Sequence, residues 1–314
     1  MKSIIVFGGS GYIGSTVTDL LLAKGYKVLN LDKVEPNIKF SDNPNYKWNK
    51  FDLRNEYEFI DNATKEFIED SAIGAIHFAA FKDIEESYKY SFMYYDNNIK
   101  SLLTALSYSY ELGVKTFLFS SSAAVYQDDK VGLVSEDAMN GFSDSPYGYT
   151  KVVGEQIVKD VCKEFEMKGV SLRYFNPIGC SSVSHDTSDS LFGSIWKCLL
   201  GDTELTIFGD DYPTRDGTPI RDYIDLRDLA EAHLYALLHS ELSYDVFNVG
   251  TGTGITVKEV AETVKSLNPK FKYKIGERRL GDSSGGYADI TKIKKLGFKC
   301  QYTLKDSIKT LIKP

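Results

Sequence analysis

The sequence predicts an α/β fold in which a doubly wound parallel sheet carries a smaller C-terminal α/β cap. Through the first half of the 314-residue chain, short apolar runs alternate with longer amphipathic stretches, a pattern typical of βαβ units. A glycine-rich turn, Gly8 to Gly14, separates the first apolar run from the first amphipathic stretch. After Phe175 the alternation ends, and a segment rich in Ser, Gly, Asp and Pro follows. These observations favour one large sheet domain with a separate cap.

The first half of the chain is predicted to alternate between strands and helices. Predicted strands span Ser3–Phe7, Lys27–Asp32, Tyr46–Asp52, Ala75–Phe78, Thr116–Ser121 and Val170–Phe175. Predicted helices span Ile13–Lys24, Asn55–Glu69, Ser87–Leu112 and Pro146–Lys168. The strands are mostly continuous and apolar, as expected when helices cover both faces of a sheet. Right-handed crossovers then place the ligand crevice at the carboxyl ends of the strands.

The second half is predicted to interleave the two domains. Asn176–Ser190 has no clear period and is predicted to be a loop over the crevice. Arg221–His239 is predicted to form a short strand and a helix, and Val246–Val249 a strand that rejoins the sheet. The sheet domain is accordingly expected at residues 1–175 and 218–249, and the cap at residues 176–217 and 250–314.

Composition excludes several classes of partner. The formal net charge of −7 argues against a general basic surface for nucleic acid or anionic lipid. The four cysteines are scattered without a C-x-x-C pair, which favours reduced thiols over a disulfide frame or a metal site. No stretch approaches the ~20 apolar residues that a membrane helix needs. We expect a cytoplasmic protein that binds no metal, nucleic acid or membrane.

The glycine-rich turn indicates a dinucleotide site. It contains G-x-G-x-x-G and places Gly8, Gly11, Tyr12, Ile13 and Gly14 between a strand and a helix. Positions without a side chain let the backbone approach a pyrophosphate held at the helix N-terminus, as in Rossmann-type domains. A tight structural turn is the alternative interpretation.

Acids at the ends of the next strands support the same site. Asp32 closes the second predicted strand, where a carboxylate can accept hydrogen bonds from the ribose hydroxyls. A 2′-phosphate would meet its negative charge, so NAD is favoured over NADP, although Lys33 follows directly. Asp52 and Leu53, after the third strand, are candidates to meet the adenine.

The candidate catalytic residues are a serine, a tyrosine and a lysine. Tyr147 and Lys151 lie four apart near the start of a predicted helix, so they share a face. A nearby ammonium favours the phenolate and is expected to lower the pKa of Tyr147 from about 10. Ser120 and Ser122 end the fifth predicted strand and can bring a hydroxyl to the same point. A surface contact between the tyrosine and the lysine is the alternative.

At these residues the sequence resembles the UDP-glucose 4-epimerase family of extended short-chain dehydrogenase/reductases. The likeness spans nearly the whole chain. It is carried by Gly8–Gly14, His77–Lys82, Tyr94–Asn98, Ser120–Tyr126, Ser145–Tyr147, Arg173–Pro177 and Ile207–Gly209. The most specific part runs from Asp211–Thr214 to Arg221–Ile224.

The resemblance implies an NAD-dependent isomerase of nucleotide-sugar and galactose metabolism. In that family the Tyr147 phenolate would take the 4′-hydroxyl proton, Lys151 would hold the nicotinamide ribose, and Ser122 would bond the 4′-oxygen, with a 4-keto intermediate. Further NAD contacts are implied at Phe78, Ala79, Ala80, Lys82, Asn97, Asn98, Ser120 and Tyr174. Contacts with the UDP-sugar are implied at Asn176, Asp189, Ser190, Leu191, Ile207, Phe208, Arg221, Tyr223, Arg279, Asp282 and Gly286. The two long helices at 87–112 and 146–168 would form a homodimer interface.

Two departures from the family bear on the sugar. Asp189-Ser190-Leu191 stands where the epimerases carry paired asparagines before a leucine, after a shortened loop. Gly286 stands where hexose-restricted epimerases carry a bulky tyrosine, so we expect a roomier pocket that admits an N-acetylated sugar. A simple loop glycine is the alternative.

Other functions stay open at this stage. A related NAD-dependent nucleotide-sugar decarboxylase or reductase would share the serine, tyrosine and lysine. A dinucleotide-binding module without activity is a further alternative. A 4,6-dehydratase is disfavoured, because Ala123 and Ala124 stand where those enzymes carry an acidic pair.

Overall fold

The computed structural model describes residues 2–55, 62–68, 72–126, 132–139, 141–183, 190–201, 203–278 and 283–312. The strands are β1 Ser3–Phe7, β2 Lys27–Asp32, β3 Tyr46–Lys50, β4 Ala72–His77, β5 Thr116–Ser122, β6 Gly132–Val134, β7 Lys168–Tyr174, β8 Asn176–Ile178, β9 Glu204–Phe208, β10 Ile220–Arg221, β11 Tyr223–Asp225, β12 Tyr244–Val249, β13 Ile255–Thr256, β14 Lys272–Gly276 and β15 Gly286–Ala288. The α-helices are α1 Tyr12–Ala23, α2 Asn62–Phe67, α3 Ile84–Lys89, α4 Ser91–Glu111, α5 Pro146–Glu164, α6 Leu191–Gly201, α7 Leu226–His239, α8 Val257–Leu267, α9 Thr291–Lys295 and α10 Leu304–Ile312.

A parallel sheet organises the larger part of the molecule. In the described residues its order is β12-β7-β5-β4-β1-β2-β3, and every neighbouring pair is parallel. The order reverses between β4 and β1, so a crevice opens there beyond the carboxyl ends of the strands. The predicted fold class is confirmed, and the predicted strand at Val246–Val249 does rejoin the sheet as β12.

Hydrophobic cores cover both faces of this sheet. Ile4 and Val6 of β1 face the cluster that includes α1 and α7. Ile5 and Phe7 face the cluster that includes α4 and α5. Because alternate residues of one strand are buried on opposite faces, β1 is apolar throughout, which explains its continuous run in the sequence.

The remaining elements form a smaller α/β unit with its own core. Residues of α6, α8 and α10 pack with β9 and β11 in a third cluster, around Ile195, Ile207 and Val260. Short strand pairs accompany it, among them β14 with β9 and β15 with β6. None of the helices in the described part of the chain has both the length and the apolar character that crossing a bilayer requires.

The structure corrects some of the predicted elements. The single helix predicted at Ser87–Leu112 is two helices, α3 and α4, because Tyr90 leaves helical geometry with φ −128° and ψ 45°. The hydroxyl of Tyr94 stabilises this break, since it accepts a hydrogen bond from the Asp83 amide and donates one to the Glu86 carboxylate.

Other differences concern boundaries. The predicted loop after Phe175 begins with strand β8, which pairs with β11. Of the helix predicted at Asn55–Glu69, the described residues contain α2, and residues 56–61 and 69 lie outside them. The strands predicted at 75–78 and 170–175 start earlier, as β4 and β7.

Candidate active site

The glycine turn fits closely against the neighbouring loop. Gly8 has a positive φ of 84°, and a Cβ there would lie 2.7 Å from the amide nitrogen of Ala79. A Cβ on Gly14 would lie 2.3 Å from the carbonyl oxygen of Gly8. Helix α1 begins directly after Gly11, where the described residues supply no side-chain cap. The N-terminus of α1, at Tyr12 and Ile13, lies at this turn, and a helix N-terminus favours an anion.

Asp32 is held in place by backbone amides. One carboxylate oxygen accepts the Ser10 amide at 2.9 Å and the other accepts the Val34 amide at 2.9 Å. Behind it, the buried Asn30 side chain accepts the Gly9 amide at 3.0 Å. Asn30 was not predicted as a site residue, yet a polar residue inside an otherwise apolar strand is a signal that could have found it.

A cavity of about 230 Å³ lies beside Asp32. We call this region, with the glycine turn, the adenosine end. Its lining includes predicted residues from the ends of β1 to β4 and from α4: Gly8, Gly11, Asp32, Asp52, Leu53, Phe78, Ala79, Ala80 and Asn97. It also includes Phe51, which precedes Asp52, and residues that were not predicted: Ser10, Leu31, Lys33, Val34, Arg54, Phe81 and Ser101.

An ion pair lies at the wall of this cavity. Arg54 donates to both oxygens of Asp52, at 3.1 Å and 2.7 Å. These hydrogen bonds lower the pKa of Asp52 to about 2. Asp52 therefore presents an ionised carboxylate, which can accept a hydrogen bond but not donate one.

The other predicted cofactor residues surround the glycine turn. The Tyr12 hydroxyl donates to the carbonyl oxygen of Gly179 at 2.6 Å, and the Lys82 ammonium lies 5.7 Å from the centroid of the Tyr12 ring. The Asn98 amide bonds both Phe81 and the Thr150 hydroxyl. Asn98 thus fixes the loop after β4 against helix α5.

The structure brings the predicted catalytic residues together; we call this group the catalytic end. The Ser122 side chain lies beside the Tyr147 phenol and lowers its pKa, and the phenol is buried. The Lys151 ammonium lies 5.8 Å from the centroid of the Tyr147 ring and donates to the carbonyl oxygen of Ser120 at 2.7 Å. Helix α5 starts here because the Ser145 hydroxyl accepts the Gly148 amide at its N-terminus.

The prediction that the protein's own groups lower the pKa of Tyr147 is wrong. Burial raises the pKa of the Tyr147 phenol, and the Ser122 side chain offsets this only in part. Burial also lowers the pKa of Lys151 to about 7. The lysine is therefore only partly charged at neutral pH, which limits its effect on the phenol.

A buried histidine holds the predicted cofactor residue Tyr174. His233 donates from Nδ1 to the carbonyl oxygen of Leu229, so its Nε2 accepts the hydrogen bond from the Tyr174 hydroxyl. Burial lowers the pKa of His233 to about 4, which keeps this ring neutral. His233 was not predicted, because its partner lies on a strand 59 residues away.

The predicted substrate residues lie in different environments. Phe208, Asn176 and Gly286 are half-buried, and Arg221 donates to the carbonyl oxygens of Ile220 and Ser283. The Ser190 hydroxyl caps α6, which begins at Leu191. Ile207 and Tyr223 are buried in the core of the smaller unit. The predicted residues Asp189, Arg279 and Asp282 lie outside the described residues.

A buried carboxylate that was not predicted holds the segments around Gly286. Asp222 accepts hydrogen bonds from the amides of Thr251, Gly252 and Ala288 and from the Thr251 hydroxyl. It thereby ties β15 to the loop after β12. In the described part of the chain, no group of three His, Cys, Asp or Glu side chains is placed to hold a metal ion.

Residues 4–250 match the model of the NAD dependent epimerase/dehydratase family. The chain belongs to this family. It is 36% identical to the UDP-glucose 4-epimerase of Lactobacillus helveticus over 317 residues, 97% of this chain and 94% of the relative. The predicted family and its NAD dependence are confirmed.

Solved structures of epimerases share this fold. A UDP-glucose-4-epimerase from Stenotrophomonas maltophila, with bound NAD and formylated UDP-arabinopyranose, matches with a TM-score of 0.87 and 31% identity over 100% of this chain and 97% of its own. The UDP-Glc/GlcNAc 4-epimerase from Campylobacter jejuni matches with a TM-score of 0.83 and 32% identity over 99% of this chain and 98% of its own. This member of the epimerase/dehydratase family is thus an isomerase of the UDP-glucose 4-epimerase type.

Proposed function

We propose that this chain inverts C4 of a UDP-sugar with NAD as its cofactor. The observation that carries the proposal is the catalytic end, where Tyr147 lies beside Ser122 and one helical turn from Lys151. A buried phenol beside a hydroxyl and an amine can exchange a proton with a sugar hydroxyl. The family membership agrees with this chemistry.

The residues at the adenosine end fit NAD. The backbone around Gly8 and Gly14 leaves no room for a Cβ, the N-terminus of α1 favours an anion such as a pyrophosphate, and Asp32 offers a fixed carboxylate for ribose hydroxyls. Asp52, Tyr12, Lys82 and the other residues assigned above would complete its contacts. When bound, NAD would supply the hydride acceptor and donor for C4 of the sugar.

The chain's own residues handle the proton. Tyr147 takes the proton of the 4′-hydroxyl, and Ser122 keeps the sugar oxygen next to the phenol. Lys151, fixed by the Ser120 carbonyl, supports the phenolate before it takes the proton and again after it has returned the proton. The same phenol returns the proton when the inverted alcohol forms, so no net acid or base is consumed.

Gly286 supports a pocket that accepts N-acetylated sugars. It lies in β15, beside Gly132 of β6, so neither strand projects a side chain at this pair. Asp222 holds β15 through the Ala288 amide, which fixes Gly286 at this position. We therefore propose UDP-glucose and UDP-N-acetylglucosamine, with their C4 epimers, as substrates, and Phe208 and Arg221 as nucleotide contacts.

Product analysis by NMR tests the function. Purified enzyme is incubated separately with UDP-glucose and UDP-N-acetylglucosamine, and Tyr147→Phe serves as the inactive control. We expect the matching galacto products without net reduction of NAD. Net production of reduced cofactor would identify an oxidoreductase instead, and carbon dioxide released from a UDP-uronic acid incubated in parallel would identify a decarboxylase. Conversion of UDP-glucose alone would refute the wide sugar pocket.

We also propose a cytoplasmic homodimer that pairs through α4 and α5. These helices pack together, and α4 leaves Leu103 and Tyr110 exposed. All four cysteines lie in the described part of the chain and are free thiols, which agrees with a reducing compartment. Sedimentation at micromolar concentration should give twice the chain mass of 35.2 kDa, and a monomeric mass would contradict the dimer.

A further inference from the structure

Helix α5 and the end of strand β5 are connected at three successive helical turns. Tyr147 lies beside the Ser122 hydroxyl, Lys151 donates to the Ser120 carbonyl, and the Ser121 hydroxyl donates to Glu155 at 2.5 Å. Positions four apart on a helix share a face. Glu155 therefore continues the row of the tyrosine and the lysine by one turn, deeper in the protein.

The helix lies unusually close to the strand at this row. A Cβ on Gly154 would be 2.6 Å from the ring of Phe119, and the Lys151 ammonium lies 4.9 Å from the centroid of the same ring. The third contact, at Glu155, sits beside this point of closest packing. A shift of Glu155 would therefore be transmitted to the lysine one turn away.

Glu155 is half of a buried ion pair. Arg173 of β7 donates to its two oxygens at 2.9 Å and 2.7 Å, and each side chain is only 4% exposed. The other arginine donors reach the Tyr126 hydroxyl and the Glu136 carbonyl. A carboxylate buried without a cation is strongly disfavoured as an ion, so Arg173 is what permits a negative charge at this depth.

Folding stability does not by itself explain why the protein buries this ion pair. Replacing a buried ion pair by apolar side chains of similar volume is often neutral or stabilising. The place of the pair, one turn below Lys151 and bonded to the serine between Ser120 and Ser122, points to a role in the site.

We propose that the Glu155–Arg173 pair is a positioning element that increases the charged fraction of Lys151 and aligns it beside Tyr147. This inference rests on the proposed epimerase function, because it concerns the proton transfer of Tyr147. Glu155 and Arg173 act through Lys151 and touch neither sugar nor cofactor in this scheme.

The electrostatics around the lysine agree with the geometry. Burial lowers the pKa of Lys151 to about 7, and the Glu155 carboxylate opposes that shift. Removal of the carboxylate would lower the pKa further, so more lysine would be neutral at pH 7 and the phenolate would lose support. Other titratable groups face this row from neighbouring elements. They are His77 of β4, Tyr126 after β5, both Arg173 and Tyr174 of β7, and Tyr244 of β12.

These neighbours do not replace the carboxylate. Burial lowers the pKa of His77 to about 3, so its ring is neutral near pH 7. Burial raises the pKa of Tyr126 to about 12, and it raises the pKa of Tyr174 and Tyr244 as well. These phenols are therefore neutral over the working range of pH.

The test is a titration of Tyr147 in the NAD-loaded enzyme. The ultraviolet absorbance of tyrosinate is followed against pH, and the signal of Tyr147→Phe is subtracted. In Glu155→Gln we expect the midpoint to rise by about one pH unit, with about a tenfold loss of kcat at neutral pH and little change in KM. Glu155→Asp, which keeps the charge, should recover most of the wild-type titration.

A second variant separates positioning from folding. Glu155→Gln leaves Arg173 unpaired, so we expect a lower yield of folded protein, whereas Glu155→Gln with Arg173→Met removes both charges at similar volume. A raised tyrosinate midpoint in the folded double variant supports the proposal. A wild-type midpoint in that variant overturns it.

Asp225→Asn is the matched control for general destabilisation. Asp225 is also a buried carboxylate paired with an arginine, Arg227, but it lies at the start of α7. Its loss should lower the melting temperature and leave the Tyr147 midpoint unchanged. The titration needs no turnover, so an enzyme that fails to epimerise UDP-sugars but shows the shift would refute the proposed function and not this inference.

Discussion

The adenosine end and the catalytic end are built from different parts of the chain. At the adenosine end, the site is formed mainly by the backbone. Asp32 is fixed by two backbone amides, and the backbone around Gly8 and Gly14 leaves no room for a Cβ. At the catalytic end, buried side chains meet one another, as Lys151, Glu155 and Arg173 do. The first end is suited to retaining a cofactor and the second to moving a proton. Substitutions should therefore separate retention from rate.

Tyr147→Phe should give the largest effect, and only on the rate. It removes the group that exchanges the proton, so we expect kcat to fall by about 10²–10⁴-fold. The adenosine end is untouched, so the purified variant should still carry NAD. Release of the nucleotide from denatured protein measures its content. A variant with normal turnover would contradict the assignment of proton exchange to Tyr147.

Gly14→Ala should weaken the retention of NAD and leave the catalytic end intact. A Cβ only 2.3 Å from a backbone oxygen forces the turn to move, which costs about 1–3 kcal/mol of folding free energy and displaces the first amides of α1. We expect the variant to lose NAD and to regain part of its activity in excess NAD. Gly201→Ala is the control, because its Cβ would meet only an ordinary contact at 3.9 Å. Equal NAD content in both variants would contradict the role of the turn.

Asp32→Asn should reduce the preference for NAD over NADP. The amide side chain keeps one backbone hydrogen bond and loses the charge, so NAD binding should weaken about ten- to a hundredfold. NADP should lose less, because the repulsion of its 2′-phosphate is gone. Calorimetry with cofactor-free protein gives both constants. A stronger preference for NAD in the variant would show that Asp32 does not select the cofactor.

Gly286→Tyr should have the smallest effect, confined to the sugar. The new tyrosine ring would lie beside Gly132 and take up space that we assign to the N-acetyl group. We therefore expect kcat/KM for UDP-N-acetylglucosamine to fall by about tenfold relative to UDP-glucose. Gly285 is not an equivalent position, since its φ of +82° strains any side chain. Equal loss with both sugars would indicate general disruption instead of selectivity.

The parts that local patterns encode could be predicted. The sheet, the glycine turn, Asp32 and the Tyr147–Lys151 pair each follow from residues close together in the sequence, because helical and strand periods put them on known faces. The break at Tyr90 could not be predicted, since it depends on hydrogen bonds that Tyr94 makes to residues of the preceding helix.

Buried polar partners from distant segments were also missed. Glu155 and Arg173 are 18 positions apart, and His233 meets Tyr174 across 59 positions. Such pairs leave no periodic signal, because each member alone looks like an ordinary polar residue on its own element. The lowered pKa expected for Tyr147 was wrong for a similar reason: the depth of burial is a property of the folded chain.

The segment 179–183 is attached to the sheet domain at several points. Tyr12 bonds the carbonyl of Gly179, Thr16 bonds Ser181, and Asn37 bonds the carbonyl of Val183. The first two of these hydrogen bonds hold the segment against α1, the helix that follows the glycine turn. A coenzyme that is restored in every cycle has no need to leave, and it then behaves as a prosthetic group. The sugar interconversion is thereby insulated from the balance of oxidised and reduced nucleotide in the surrounding cell.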